Sequence, residues 1–141
     1  MRGRRGFTLI EASLTIIIIG VGVLSMLELT ATGTRAHGDA MQRTTGLAVA
    51  QCLHERTIGW TFDQLRGHAG ETFAPPVDAE GVSMPAFGDW QQVLEIQAVE
   101  PDNLSATSAA TTPSAVRVTV HAVKDGLKRQ SLTWYRFASV E

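Results

Sequence analysis

Residues 12–27, ASLTIIIIGVGVLSML, carry no charge, and directly before them stands RGRRGFTLIE, with Arg2, Arg4 and Arg5 ahead of the apolar run and Glu11 at its edge. An uncharged stretch of 16 residues spans about 24 Å as a helix. Adding Phe7 to Ile10 and Leu29 brings it close to the roughly 30 Å of a bilayer's hydrocarbon core. The sequence therefore predicts a transmembrane helix over residues 7–29. The positive-inside rule keeps its arginine flank cytoplasmic and sends residues 30–141 outside. A cleavable secretory signal wants small residues in an A-x-A pattern after the apolar run. Ser25-Met26-Leu27 does not supply them, and Ala31-Thr32-Gly33 comes nearer. Glu11 is the residue that needs a reason, because a charge at membrane depth costs several kcal/mol unless it finds a partner.

The 141 residues leave room for one domain beyond the anchor, with a single core. Cys52 is the one cysteine, so an exported domain here closes no internal disulfide and must hold by packing and sheet hydrogen bonds. Cys52 itself reads as a small buried apolar residue on a helix.

The helical pattern continues past the membrane segment to about Thr57. Met41, Thr45, Ala48 and Cys52 recur at spacings of four, three and four, with Leu53 beside them, which predicts the buried face of an amphipathic helix. Glycines at 20, 22, 33, 38 and 46 predict bending or local melting, each costing up to about 1 kcal/mol against Ala. Residues 59–92 are punctuated by Gly and Pro and read as a long loop, with a short helical turn at Phe62 to Leu65. Trp60, Phe62, Phe73, Phe87 and Trp90 are expected to pin it to the core. Residues 93–137 then alternate with period two. Leu94, Ile96 and Ala98 face one way, as do Val116, Val118, Val120 and Ala122, and Leu132 and Trp134. Three antiparallel strands follow, joined by the polar connector SATSAATTPS and by a hairpin at Lys124-Asp125-Gly126, where Gly126 can take a positive φ. A sheet with one apolar face and a helix with one apolar face predict an α+β fold, the second half of the helix lying across the sheet.

Arg5-Gly6-Phe7-Thr8-Leu9-Ile10-Glu11 followed by an apolar helix resembles the class III signal of type IV pilins and type II secretion pseudopilins. The resemblance covers about the first 30 residues. It implies that residues 1–6 form a basic leader, removed between Gly6 and Phe7 by a prepilin peptidase, and that Phe7 is then N-methylated. Glu11 becomes the fifth mature residue, where the family keeps a glutamate. The implied role is register: Glu11 meets the new α-amino cation of Phe7 on its own chain or a neighbour, and two costly charges become one pair. The plainer explanation is a glutamate snorkelling to the interface. Loss of three of the 12 basic residues against 14 acidic ones takes the formal charge from −2 to −5. The resemblance also implies partners: other pilin or pseudopilin subunits, an inner-membrane platform and an assembly ATPase. It places the chain in a bacterial inner membrane and then in a periplasmic or extracellular filament. Major pilins commonly have a C-terminal disulfide and a proline at the twenty-second mature position, where this chain has Glu28. A minor pilin or minor pseudopilin is the closer likeness.

Other chemistry is sparse. His37, His54, His68 and His121 form no ligand-spaced cluster with Cys52 or a carboxylate, so no metal or cofactor is expected. Asp63, Glu71, Asp78 and Glu80 read as solvated charges, and no calcium-loop signature is present. No G-x-S-x-G, P-loop or HExxH motif occurs, and an enzyme is not expected. Lys124, Lys128 and Arg129 cluster near the hairpin and are weak candidates for DNA contact, as in competence-type pilins that resemble this chain. The sequence thus predicts a structural filament subunit. The alternatives are an unprocessed single-pass anchored binding domain, and a competence-type pilin contributing to DNA uptake.

Overall fold

The computed structural model describes residues 8–138. They fall into two compact units that divide between Ala40 and Met41. Helix α1, Leu9–Ile58, contributes its first part to one unit and its last part to the other. Glycines 20, 22, 33, 38 and 46 all lie within it, and none melts the helix.

In the second unit α1 is followed by a short helix α2, Phe62–Gly67. A reciprocal cap starts α2: Thr61 Oγ1 accepts from the Gln64 N–H at 3.2 Å, and Gln64 Oε1 accepts from the Thr61 N–H at 2.9 Å. Five strands complete the unit: β1 Thr72–Phe73, β2 Trp90–Glu100, β3 Asn103–Thr107, β4 Ala115–Lys124 and β5 Leu127–Phe137. All pairings are antiparallel, in the order β1-β2-β4-β5, with β3 also on β2. The three predicted strands are β2, β4 and β5. β2 starts at Trp90, inside what the sequence presented as loop, and the beginning of the polar connector is β3. Asp125 and Gly126 both hold positive φ, 53° and 72°, the two-residue turn whose twist matches the flanking strands.

The helix does cover the sheet, though on a face turned from the one the spacing suggested. Gly46, Val49, Ala50, Leu53 and Thr57 are the buried positions of α1. Met41 is 67% exposed, Ala48 is exposed, and Thr45 and Cys52 are half-buried. Gly46 explains the turn. A Cβ there would lie 3.0 Å from Trp90 Cζ3 and 3.3 Å from Gln130 Cβ, so the missing side chain is what lets α1 settle on the indole and the sheet. Opposite it lie Leu94, Val116, Val118, Val120 and Ala122, all buried.

Residues 59–89 are held down by three devices. Trp60, Phe62, Phe73 and Phe87 pack against the core as expected. The Arg56 guanidinium lies over the Trp60 ring at 5.5 Å and the Phe73 ring at 5.4 Å, and Trp60 stacks on His68 with ring centroids 4.3 Å apart. Gln92, fully buried among apolar neighbours, accepts from the Val77 N–H at 2.9 Å and donates to the carbonyls of Val49 and Val77 at 2.7 and 3.0 Å. That amide ties helix, strand and loop together. Two of the acidic residues expected to be merely solvated also do local work. Asp78 Oδ1 accepts from the Glu80 and Val82 N–H groups at 3.1 and 2.7 Å, and Glu71 meets His68.

Candidate functional site

The first part of α1 has the features that single out a functional surface. Leu9, Ile10, Leu14, Ile16–Ile19, Val21, Val23, Leu24, Met26, Leu27 and Leu29 are each more than half exposed. The helix is long and apolar enough to cross a membrane, and its apolar window buries nothing in the chain itself. Six of its hydroxyls are satisfied internally. Ser13, Thr15, Ser25, Thr30, Thr32 and Thr34 each donate to the carbonyl four residues earlier, at 2.7–3.0 Å. Such back-bonding leaves no hydroxyl hydrogen to be met by lipid or by a neighbouring helix.

The Glu11 carboxylate has no such internal bond. The Glu11 backbone N–H is accepted by Thr8 Oγ1 at 3.3 Å, and the Ala12 N–H bonds to the Thr8 carbonyl at 3.1 Å, so Thr8 caps the helix and Glu11 occupies the third helical position. A carboxylate in that first turn also has a favourable interaction with the helix dipole. The side chain is exposed, and among the described residues no donor meets it. Arg2, Arg4, Arg5, Gly6 and Phe7, the leader, junction and methylation positions, lie outside the described residues.

Lys124, Lys128 and Arg129 are not assembled into one free basic patch. Lys124 pairs with Asp89 at 2.5 Å and lies 5.4 Å from the Trp90 ring centroid, and its hydrogen bond holds the Asp89 carboxyl below the usual carboxylate range. Lys128 is exposed, and Arg129 is half-buried with its Nε unpartnered.

Two arrangements are not legible in the sequence. Across the outward face of the sheet His121 bridges Ser131 Oγ at 2.6 Å and Glu95 Oε2 at 3.1 Å, and the hydrogen bond from His121 lowers the pKa of Glu95. His121, Glu95 and Ser131 come from three adjacent strands, so only the register brings them together. At the far end of α1, Arg136 donates to the Ile58 and Trp60 carbonyls at 3.4 and 3.1 Å, placing a cation where the helix dipole is negative. Burial raises the Cys52 thiol pKa, with Glu55 and Asp78 adding to the effect, so the thiol stays protonated and poorly nucleophilic. Among the described residues no three His, Cys, Asp or Glu side chains are grouped to hold a metal.

Comparison with known proteins gives one match, and it falls on the helix just described. Residues 1–27 match the family model described as the prokaryotic N-terminal methylation motif. No curated protein and no solved structure matches the chain. Members of the pilin-like family that carries this motif are structural rather than enzymatic. The matched residues are the methylation motif of the type IV pilin-like family, and they lead into an exposed apolar helix whose last turns pack on an antiparallel sheet, a pilin-like α+β fold.

Proposed function

We propose that the chain is a minor pilin or minor pseudopilin, a structural subunit that is inserted in the bacterial inner membrane, processed between Gly6 and Phe7, and assembled through α1 into a type IV pilus-like or type II secretion filament. Residues 1–6 are the leader, residues 7–29 the membrane and assembly helix, and residues 30–141 the exported part. The observation that carries the reading is the methylation motif over residues 1–27, set on a helix whose apolar side chains are left exposed. Prepilin peptidase and other pilin subunits are its partners by family inference, together with a platform protein and an ATPase that supply the force.

Glu11 has the specific role. Cleavage after Gly6 creates an α-amino cation on Phe7, four residues before the Glu11 carboxylate. The pair forms within a chain in the membrane and between an incoming chain and its neighbour in the filament, which fixes the axial register. The lone cysteine and Glu28 favour a minor over a major subunit. DNA contact through Lys124, Lys128 and Arg129 is the lesser reading, because Lys124 is already engaged by Asp89.

The test is the intact mass and N-terminal peptide of the protein from native membranes or sheared filaments. A chain beginning at Phe7 with one added methyl group is the expected result. A chain still beginning MRGRRG refutes the reading and leaves an anchored binding domain in its place.

A further inference from the structure

We propose that the outer edge of β5 is a strand-addition site for an extended segment of a neighbouring subunit, apolar at one end and acidic at the other. β5 ends the sheet, and among the described residues no strand pairs with its outer side. At 11 residues it is as long as β2, which is flanked on both sides. A long free edge exposes a row of backbone donors and acceptors, and folded proteins usually blunt such an edge with charge, Pro or a bulge. Here the protection is confined to the first three residues: Lys128, Arg129 and the bulge that shifts register between Ala122 and Val123. From Gln130 to Phe137 there is no proline and no bulge, and the one charge, Arg136, is turned to the Ile58 and Trp60 carbonyls. The exposed side chains there are Ser131, Thr133, Tyr135 and Phe137, and Phe137 is 51% exposed. Alternating hydroxyl and aromatic residues of high β-propensity are what pairing with a further strand requires.

The charges choose the occupant. A second β5 paired antiparallel about Leu132, the middle of the strand, would set Lys128 against Arg136, and a parallel pair in register would set Lys128 against Lys128. Like charges directly opposite one another destabilise a pair. No acidic residue lies between Leu127 and Ala138 to relieve either arrangement. A strand with acidic residues opposite Lys128 and Arg129, and apolar residues opposite Tyr135 and Phe137, satisfies both ends. The proposal rests on the filament reading only in naming a neighbouring subunit as the source of that strand.

The experiment supplies the strand in cis. The full chain in detergent micelles is extended after Glu141 by a glycine-serine linker and a decapeptide, Val-Thr-Val-Thr-Val-Thr-Val-Thr-Glu-Glu, whose antiparallel return along β5 sets valines opposite Phe137 and Tyr135 and brings the glutamates to Arg129 and Lys128. A second extended chain ends in Lys-Lys instead. Tethering raises the local strand concentration to the millimolar range. Hydrogen exchange of the β5 amides from Ser131 to Phe137 is expected to slow by about tenfold more with the glutamate strand than with the lysine strand. In the charge-reversed variant Lys128→Glu, Arg129→Glu, that ranking inverts. Equal exchange with both strands overturns the charge argument, and exchange unchanged from the unextended chain overturns the site. Neither result depends on processing at Gly6, which the N-terminal mass reads separately.

Discussion

Replacing Gly46 by alanine sets two effects of known sign against each other. Alanine in place of glycine within a helix stabilises it by about 1 kcal/mol through backbone entropy. The new methyl would sit 3.0 and 3.2 Å from Trp90 Cζ3 and Cη2 and 3.3 Å from Gln130 Cβ. Trp90 is 3% exposed, so its ring has no open space to retreat into, and Gln130 Cβ is fixed to the backbone of β5. Overpacking of this kind costs about 1–3 kcal/mol. The net expectation is a destabilisation of roughly 0–2 kcal/mol. Ala48→Gly, at an exposed position in the same part of α1, calibrates the helix term and should lose about 1 kcal/mol. The assay is urea unfolding of the full chain in micelles followed by tryptophan fluorescence. In a Trp90→Phe background the outer ring atoms are gone, and Gly46→Ala should recover most of its cost. If Gly46→Ala instead gains what Ala48→Gly loses, the close approach of helix and sheet at this glycine is refuted.

Gln92→Leu removes the acceptor for the buried Val77 N–H and the donor to the Val49 carbonyl, and is expected to lose about 1–3 kcal/mol in the same unfolding assay, with residues 75–84 the first to become protease-sensitive. Glu95 has a lowered pKa because His121 hydrogen-bonds its ionised form, so its contribution is present above the ordinary carboxylate value of 4.5 and is lost as pH falls through the lower folded value. Stability should therefore decline below about pH 4.5, and Glu95→Gln should flatten that decline while leaving the slope of the urea transition unchanged. Glu11→Ala should enter the membrane normally yet fail to appear in sheared filaments. Filament incorporation at the wild-type level would remove Glu11 from any role in register.

The elements legible in the sequence are those whose signal is local. α1 shows an uncharged run of membrane length and then a helical period, β4 alternates cleanly, and Asp125-Gly126 is turn chemistry in two letters. β1 has two residues, too few for a period, and β3, NLSAT, carries little of the β-branched or aromatic content that marks a strand. Both exist because β2 offers them a partner. The buried face of α1 differs from the one the apolar spacing suggests because glycine reads in sequence as a weakness in the helix, whereas Gly46 is the point of closest approach. The methylation motif is legible because its residues are consecutive. The Arg56 stack on Trp60 and Phe73, the Gln92 clamp and the Glu95-His121-Ser131 bridge join positions distant in sequence, and only the fold puts them side by side.

The six hydroxyls of α1 that bond back to their own helix have a consequence for how such a chain could change surroundings. Lipid tails and the apolar side chains of other helices are solvents of similar polarity, so moving a helix from one to the other brings little hydrophobic gain. Because these six hydroxyls take their hydrogen bonds with them, the transfer strands none of them either. The apolar part of the helix is thus close to indifferent between bilayer and bundle, and what decides where it rests is the shape fit between side chains and the partners that Glu11 and Glu28 find. On the filament reading proposed above, a helix poised in this way would pass between lipid and bundle and back without refolding at either end of the journey.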